Sequence, residues 1–595
     1  MKLIDLNPNG LIKIGLLLAG IFPLSYSLRA QPPKDKGYVL LFDESFNGTQ
    51  LNENDWKYRE GKKMTGLSRK ENVFVSNGSL HIALRQETIN GKPENTGGGV
   101  ISKHQFGYGY YECRSKPFTK GGVHSSFWQS EGVIPNNNIF EIDSYEIYGD
   151  NLMGNNNFYL HLKPRDYQYA PYPYHSVIPF TVDKDGWFLD AYEYTPEGVI
   201  FYDNGKEVAR SDWGELTAAQ CIWLTALNLR VKKNEFLPSV GLIDHFRYYA
   251  KDYPGKNILP NGDFEYNSGK IDRNVPVAWQ QSGTSGACTV VDGGASRNIS
   301  KLRLVSGDSP YEKEVFQNLE FIMNGEYTLS AMVRSSGGQK KALIKVSDFG
   351  GKDLSVDVPQ AKEWVRIEIP KISVSNHQVR ISIATTAAAG QWMEIDNIQF
   401  MKPLPAGIKA EAEVPFKVVR DPFWSTAEKY PVQCEGNGMI IGLSPNIGTG
   451  NKLSIDLTLT AKRKDDMSVF AKLPQSGISG RGIYLTKEGD VVFRIGSRSD
   501  YTDIVAPKAY SAGKPCKITC VYNDGSGMLY IDSKLIKQVK GIRQNTDAGG
   551  GRFGDVMNVF SAVGDKTGPK YAEFSGTIQD IKFYNRALDA EEIKM

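Results

Sequence analysis

Three carboxylates, Glu141, Asp143 and Glu146, stand within six residues in the run Phe140-Glu141-Ile142-Asp143-Ser144-Tyr145-Glu146-Ile147-Tyr148. The β-branched and aromatic neighbours read as a strand. Side chains alternate along a strand, so Glu141 and Asp143 share a face and Glu146 falls on the other. One extra residue near Ser144-Tyr145, a β-bulge, returns Glu146 to the first face; bulges re-aim side chains in this way beside active sites. Three acids gathered on one face suit more than one chemistry. Two carboxyls about 5 Å apart are what a retaining glycosidase uses, one as nucleophile and one as acid/base. The third would then help to separate their proton affinities. Clustered carboxylates also bind calcium, and an acidic strand face is often simply solvated. The spacing alone leaves these readings open.

The strand must be held by something larger. The chain has 595 residues, too many for one hydrophobic core, and three or four domains are expected. With 40% apolar and 23% charged residues it reads as ordinary globular protein. Lys plus Arg number 70 against 67 Asp plus Glu, and no basic run tracks a phosphate backbone, so nucleic acid is not an expected partner. Lys2 and Lys13 precede the apolar run Ile14 to Phe22, followed by Ser25, Ser27 and Ala30. The run is too short to span a bilayer, so residues 1–30 are read as a cleaved export signal, with cleavage after Ser27 or Ala30. No transmembrane segment is expected, and the protein is placed in the periplasm, on the cell surface or outside the cell. The six cysteines are too thinly spread for a disulfide scaffold. Cys113 and Cys221 could pair or remain buried thiols. Cys516 and Cys520 lack companions at zinc spacing.

From Tyr38 to about Asp252 short alternating runs are separated by turn signals, among them Ser76-Asn77-Gly78-Ser79 and Asp203-Asn204-Gly205. Asn-Gly between apolar runs marks a hairpin. Two linker-like stretches follow, near Lys251 to Lys256 and Pro403 to Glu413, with all-β patterning between and after them. The expected fold class is therefore all-β, with three tandem β-sandwich domains at 37–252, 257–402 and 414–595. A short helix is expected from Ala587 to Lys594.

Over residues 38 to 251 the sequence resembles glycoside hydrolase family 16. The residues that carry the resemblance appear in the family's order. They are Leu41 to Gly48 with Trp56, Gly99 to Lys103, Phe106 to Arg114, Ser126-Phe127-Trp128, the acidic strand, Glu193 to Pro196, Phe201 to Gly205 and Leu242 to Tyr249. The resemblance implies a concanavalin-like jelly roll that is catalytic. It implies Glu141 as nucleophile, Asp143 as auxiliary acid and Glu146 as acid/base. The Glu-x-Asp-x-x-Glu form is similar to the laminarinase, agarase and carrageenase branches. Common β-1,3-glucanases have a Trp-Pro before the Ala-Phe-Trp ahead of the active strand; here the residues are Val123-His124-Ser125-Ser126-Phe127-Trp128, and Ser125-Ser126-Phe127-Trp128 looks more like the agarase, porphyranase and carrageenase side. Arg230, Lys232 and Lys233 replace a Gly-rich loop; they would meet sulfate or uronate groups, or form a solvated loop.

Sugar rings stack on aromatic faces. Trp128 is the first candidate for the cleft, with core packing as its alternative. Tyr172 and Tyr174, in a Pro-interrupted loop, are candidate subsite walls, and His161 could contact sugar hydroxyls. Trp56 and Trp187 are assigned to the core. The stretch Asn257 to Glu265 with Trp279, and Glu394 to Ile398, resembles carbohydrate-binding modules of family 4. That resemblance implies a structural calcium, with Glu265 and Asp396 as its side-chain ligands. Glu44 and Asp244 are weaker candidates for a calcium in the first domain. The C-terminal run Ile578 to Ile593 resembles laminin-G-like, concanavalin-type domains. No cofactor is expected for catalysis. The sequence thus reads as an exported, monomeric, endo-acting retaining hydrolase of a polysaccharide, either a β-galactan (agar, porphyran, carrageenan) or a β-1,3-glucan. The rival reading is a non-catalytic glycan-binding protein of a polysaccharide-capture system.

Overall fold

A computed structural model describes residues 32, 36–63, 66–118, 123–130, 140–148, 152–160, 174–175, 182–211, 219–228, 236–265, 273–295, 300–405, 407, 424–426, 432–435, 439–441, 452–472, 481–496, 501–542, 557–559, 572–584 and 586–594. Strands dominate throughout. The first region contributes seventeen of them among the described residues, numbered here in chain order.

One sheet is built around β17 (Ser239–Ala250), which pairs with β8 (Gly109–Lys116) on one side and with β1 (Val39–Glu44) and β6 (Ser79–Ile89) on the other. From β8 it continues to β13 (Phe188–Thr195), β14 (Gly198–Asp203) and β15 (Lys206–Ser211), while β5 (Val73–Ser76) pairs with β6. The second sheet runs β2 (Trp56–Tyr58), β7 (Lys92–Ser102), β16 (Cys221–Asn228), β9 (Val123–Ser130), β10 (Phe140–Tyr148), β11 (Leu152–Leu160), β12 (Tyr174–His175). Two short strands, β3 (Gly61–Lys63) and β4 (Gly66–Ser68), extend the edge of β7. The Asn-Gly signals are hairpins: Asn77 and Gly78 join β5 to β6, Asn204 and Gly205 join β14 to β15, and all four have positive φ. That is the backbone a two-residue primed turn needs.

The core between the sheets follows from period-two alternation. Trp56, Phe106, Tyr111, Phe127, Ile142, Tyr145, Tyr192 and Phe246 are buried in one cluster. Burying a large apolar side chain of this kind contributes about 1.5–3 kcal/mol. Cys113 and Cys221 are buried free thiols, as are Cys288, Cys516 and Cys520. Trp56 lies in the core as expected. Trp187 does not: it is half-buried just ahead of β13, under the Arg114 guanidinium at 4.6 Å.

The second region packs two five-stranded sheets over Phe264, Trp279, Tyr327 and Phe400. The third centres on Lys452–Ala461, flanked by Pro515–Asn523 and Ser575–Tyr584, and ends in a helix, α1 (Ala590–Lys594). Asp589 Oδ1 accepts the N–H groups of Glu591 and Glu592 at 2.9 Å each, which satisfies donors that the helix start would leave open. Among the described residues no helix is long and apolar enough to cross a membrane.

The first two regions are joined by more than a linker. Phe321 leaves the end of Tyr311–Glu320 with φ +54° and stacks on Phe106 at 5.1 Å, with Phe42 and His104 edge-on at 5.5 and 5.2 Å. Beside it Glu320 accepts the Gln105 N–H at 3.2 Å and lies 3.3 Å from His104, whose other ring nitrogen is 2.8 Å from Asp55. Lys402 reaches Asp252 at 2.5 Å across the same seam.

Candidate active site

The acidic run is β10, and its pairing with β9 shifts by one residue between Asp143 and Tyr145. Asp143 stands opposite Trp128, Glu146 opposite Ser126, and Tyr148 opposite His124. Residues directly opposite in an antiparallel pair share a face. Trp128, Ser126 and His124 alternate along β9, so Asp143 and Glu146 lie on one face, and Glu141, two residues before Asp143, lies there too. Ser144 is the extra residue. Ile142 and Tyr145 point into the core, where Tyr145 packs against Phe127 and Phe188.

The bulge has an anchor in the opposite sheet. Ser144 Oγ donates to Asp190 Oδ2, and both residues are fully buried. Asp190 on β13 stands directly opposite Asp203 on β14. Burial, and then the charge of Asp203, hold the Asp190 carboxyl well above the usual carboxylate range. Asp190 is therefore protonated in the folded protein at pH values where the unfolded chain, near 3.8, has already lost that proton. The native state binds the extra proton, so stability falls as pH rises from about 4 through the folded value. Asp190→Asn keeps an acceptor for Ser144 and removes the titration. Its melting temperature should decline less between pH 5 and pH 8 than that of the wild type, as thermal melts at the two pH values would read.

β16 completes the floor of the face. Trp223 stands opposite Trp128 with rings stacked at 4.6 Å, and Thr225 stands opposite Ser126 with hydroxyls 2.6 Å apart. The buried Arg59, held by its N–H to the Gly99 carbonyl at 2.8 Å, places its guanidinium 5.9 Å from the Trp128 ring and 5.3 Å from Trp223. Burial lowers its pKa to about 10, and the charge of Glu141 opposes the shift. Arg59 therefore stays a cation at neutral pH and favours the ionised form of Glu141. On the other side of Asp143, His124 Nε2 lies 2.8 Å from Glu146 Oε1.

Four of the seven expected catalytic and substrate-binding residues thus come together: Glu141, Asp143, Glu146 and Trp128. Tyr174 lies on β12 opposite Phe158, at the far edge of the same sheet. His161, Tyr172, Arg230, Lys232 and Lys233 lie outside the described residues, as does the N-terminal apolar run. Sequence reasoning missed Arg59, Trp223 and the partnership of His124. Alternation in Cys221-Ile222-Trp223-Leu224-Thr225 does put Trp223 and Thr225 on the face opposite Ile222 and Leu224. Nothing in the Tyr58-Arg59-Glu60 context marks Arg59.

The calcium expectations divide. Glu44 accepts the Phe46 N–H at 2.7 Å and the Trp56 indole N–H at 3.1 Å, while Asp244 is bound to His245 at 2.7 Å and Arg114 at 3.5 Å. These two carboxylates are taken up by nitrogen donors in separate networks and do not fit a shared cation. Glu265 accepts the Ser300 N–H at 2.8 Å and Asp396 the Ala295 N–H at 2.5 Å. Among the described residues no group of three His, Cys, Asp or Glu is placed to hold a metal.

Residues 60–184 match the family described as glycosyl hydrolases family 16, and residues 449–594 the concanavalin A-like lectin/glucanases superfamily. The chain is 28% identical over 195 residues to a beta-glucanase of Acetivibrio thermocellus, covering 33% of this chain and 55% of that relative. It is 33% identical over 107 residues to beta-porphyranase B of Zobellia galactanivorans, covering 16% and 36%. The laminarinase catalytic domain from Thermotoga maritima overlays with a TM-score of 0.31 at 18% identity, over 37% of this chain and 100% of that one. The chain spans about half the length of the beta-glucanase that it matches. The match to glycosyl hydrolases family 16 thus lies ahead of the match to the concanavalin A-like lectin/glucanases superfamily.

Proposed function

We propose that the first domain is an endo-acting, retaining glycoside hydrolase that cuts internal β-linkages of a polysaccharide, a β-galactan or a β-1,3-glucan. The observation that carries this reading is the one-residue shift at Ser144, which sets Glu141, Asp143 and Glu146 on one face beside Trp128. Glu146 protonates the glycosidic oxygen as Glu141 attacks the anomeric carbon, and the C–O electron pair leaves with that oxygen. Water then attacks the glycosyl-enzyme, Glu146 takes its proton, and Glu141 departs as a carboxylate. Asp143, between the two glutamates, helps to hold their proton affinities apart. Trp128 and Trp223 offer aromatic surface for sugar rings. The protein is exported, and Glu265 and Asp396 would hold a structural calcium in the second region.

The test is a panel of agar, porphyran, carrageenan, laminarin and mixed-linkage glucan, assayed for released reducing ends with the wild type and Glu141→Gln. The expected result is release from one polymer class by the wild type and none by the variant. Binding to a polymer with no release from any of them would instead establish the glycan-capture reading.

A further inference from the structure

Among the groups on this face, His124 has no part in the two-glutamate scheme. Its side chain is 8% exposed and that of Glu146 18%, with the Nε2–Oε1 distance at 2.8 Å. The imidazole stands on β9 diagonal to Glu146, since Glu146 faces Ser126 and His124 faces Tyr148. Among the described residues the other charges placed on this face are Asp143 and Glu141 on β10 and, past Trp128, Arg59. The register partners from the flanking strands, Thr225 and Leu227 on β16 and Gly154 and Leu152 on β11, carry none.

We propose that His124 is the positioning residue of the proton donor, a reading that rests on the hydrolase function above. A glutamate carboxyl on three rotatable bonds must present one oxygen to the leaving group. A hydrogen bond from a buried ring on the neighbouring strand to Oε1 fixes the carboxyl plane and leaves Oε2 for the glycosidic oxygen. The bond also changes strength along the reaction. While Glu146 carries its proton on Oε2, the His124 Nε2–H meets a neutral acceptor. As that proton passes to the glycosidic oxygen, Oε1 becomes part of a carboxylate and the bond becomes charge-assisted, roughly twice as strong. An interaction that strengthens toward the transition state accelerates the step. His124 itself gains and loses no proton. In the second step the same bond weakens as Glu146 takes a proton from water, so the gain belongs to glycosylation.

The experiment compares full-length wild type, His124→Ala and His124→Gln on two substrates: the polymer that the panel identifies, and an aryl glycoside of the same sugar whose phenolate leaves without a proton. His124→Ala should lower kcat on the polymer by about 10- to 100-fold, the worth of one hydrogen bond to a charged group. It should leave the activated glycoside near the wild-type rate. Its alkaline limb should move to higher pH, because a carboxylate without its donor holds its proton longer. His124→Gln, which keeps an N–H donor, should recover most of the polymer rate. Equal losses on both substrates, or an unmoved alkaline limb in a folded His124→Ala, would overturn the proposal and leave a packing role. No release by the wild type from any polymer would instead sink the hydrolase reading, and this proposal with it.

Discussion

Glu141→Ala is expected to lower turnover by about ten-thousand- to million-fold, the scale seen when a covalent nucleophile is removed. Added azide should restore part of it. The shortened side chain leaves room for a small anion against the anomeric carbon on the side Glu141 occupied. A substrate with an activated leaving group then yields a glycosyl azide of inverted configuration. Glu146→Ala should behave differently. Its loss on a polymer is expected at about a hundred- to ten-thousand-fold, the usual contribution of general acid–base catalysis. With an activated leaving group its glycosyl-enzyme still forms, and azide should intercept it with retained configuration. The stereochemistry of the two products, read by NMR, therefore assigns the two glutamates. The shared face identifies the pair but treats its members alike; the assignment of nucleophile and donor rests on the family resemblance. Retention in Glu141→Ala and inversion in Glu146→Ala would exchange their roles.

The second large effect is expected far from the acids. Phe321→Ala removes a ring that stacks on Phe106 and meets Phe42 and His104 edge-on. A fully buried Phe→Ala change costs about 3–5 kcal/mol, so this partly buried ring should be worth roughly 2–4 kcal/mol. The cost falls on the coupling between the first two regions, because the ring belongs to one and its partners to the other. In calorimetry the wild type should unfold the two together. Phe321→Ala should unfold them as two separate transitions, the first at lower temperature. A single transition that merely shifts would show that Glu320 with His104, and Lys402 with Asp252, hold the seam without the ring. Phe321 sits at φ +54°, a conformation that costs a non-glycine residue energy and that packing must offset.

What could be read in advance, and what could not, divides along the range of the interactions. The three acids, the strand that carries them and the need for a bulge follow from alternation within nine residues, and Ser144 is where the register shifts. The hairpins at Asn77-Gly78 and Asn204-Gly205 are equally local. Arg59 and the role of Trp223 escaped because their meaning comes from register: alternation gives the face of Trp223, but it reaches Trp128 only through the pairing of β16 with β9, and Arg59 lies further still along the chain. His124 stood out as a departure from the family's Trp-Pro, yet its bond to Glu146 depends on how two strands align. Trp187 was assigned to the core by residue type alone. It precedes the first residue of β13, where a ring meets the rim of the sheet and an arginine covers it. The seam at Phe321 left no mark in composition, since a phenylalanine after a strand reads as its end. The all-β class was legible because turn chemistry and period-two patterning agree over most of the chain.

The inserted Ser144 also decides where this protein can change length. Removing Ser144 would erase the bulge and, by plain alternation, leave the three acids on one face with Tyr145 inward, whereas adding one residue between Glu141 and Glu146 would send Glu146 into the core. Adding two would restore the faces but slide the glutamates by about 6.6 Å along the strand, at 3.3 Å per residue. A carboxyl pair that works at about 5 Å has no room for that slide. The spacing of the acids therefore behaves like a reading frame, and insertions that leave the chemistry intact belong in the connections between strands.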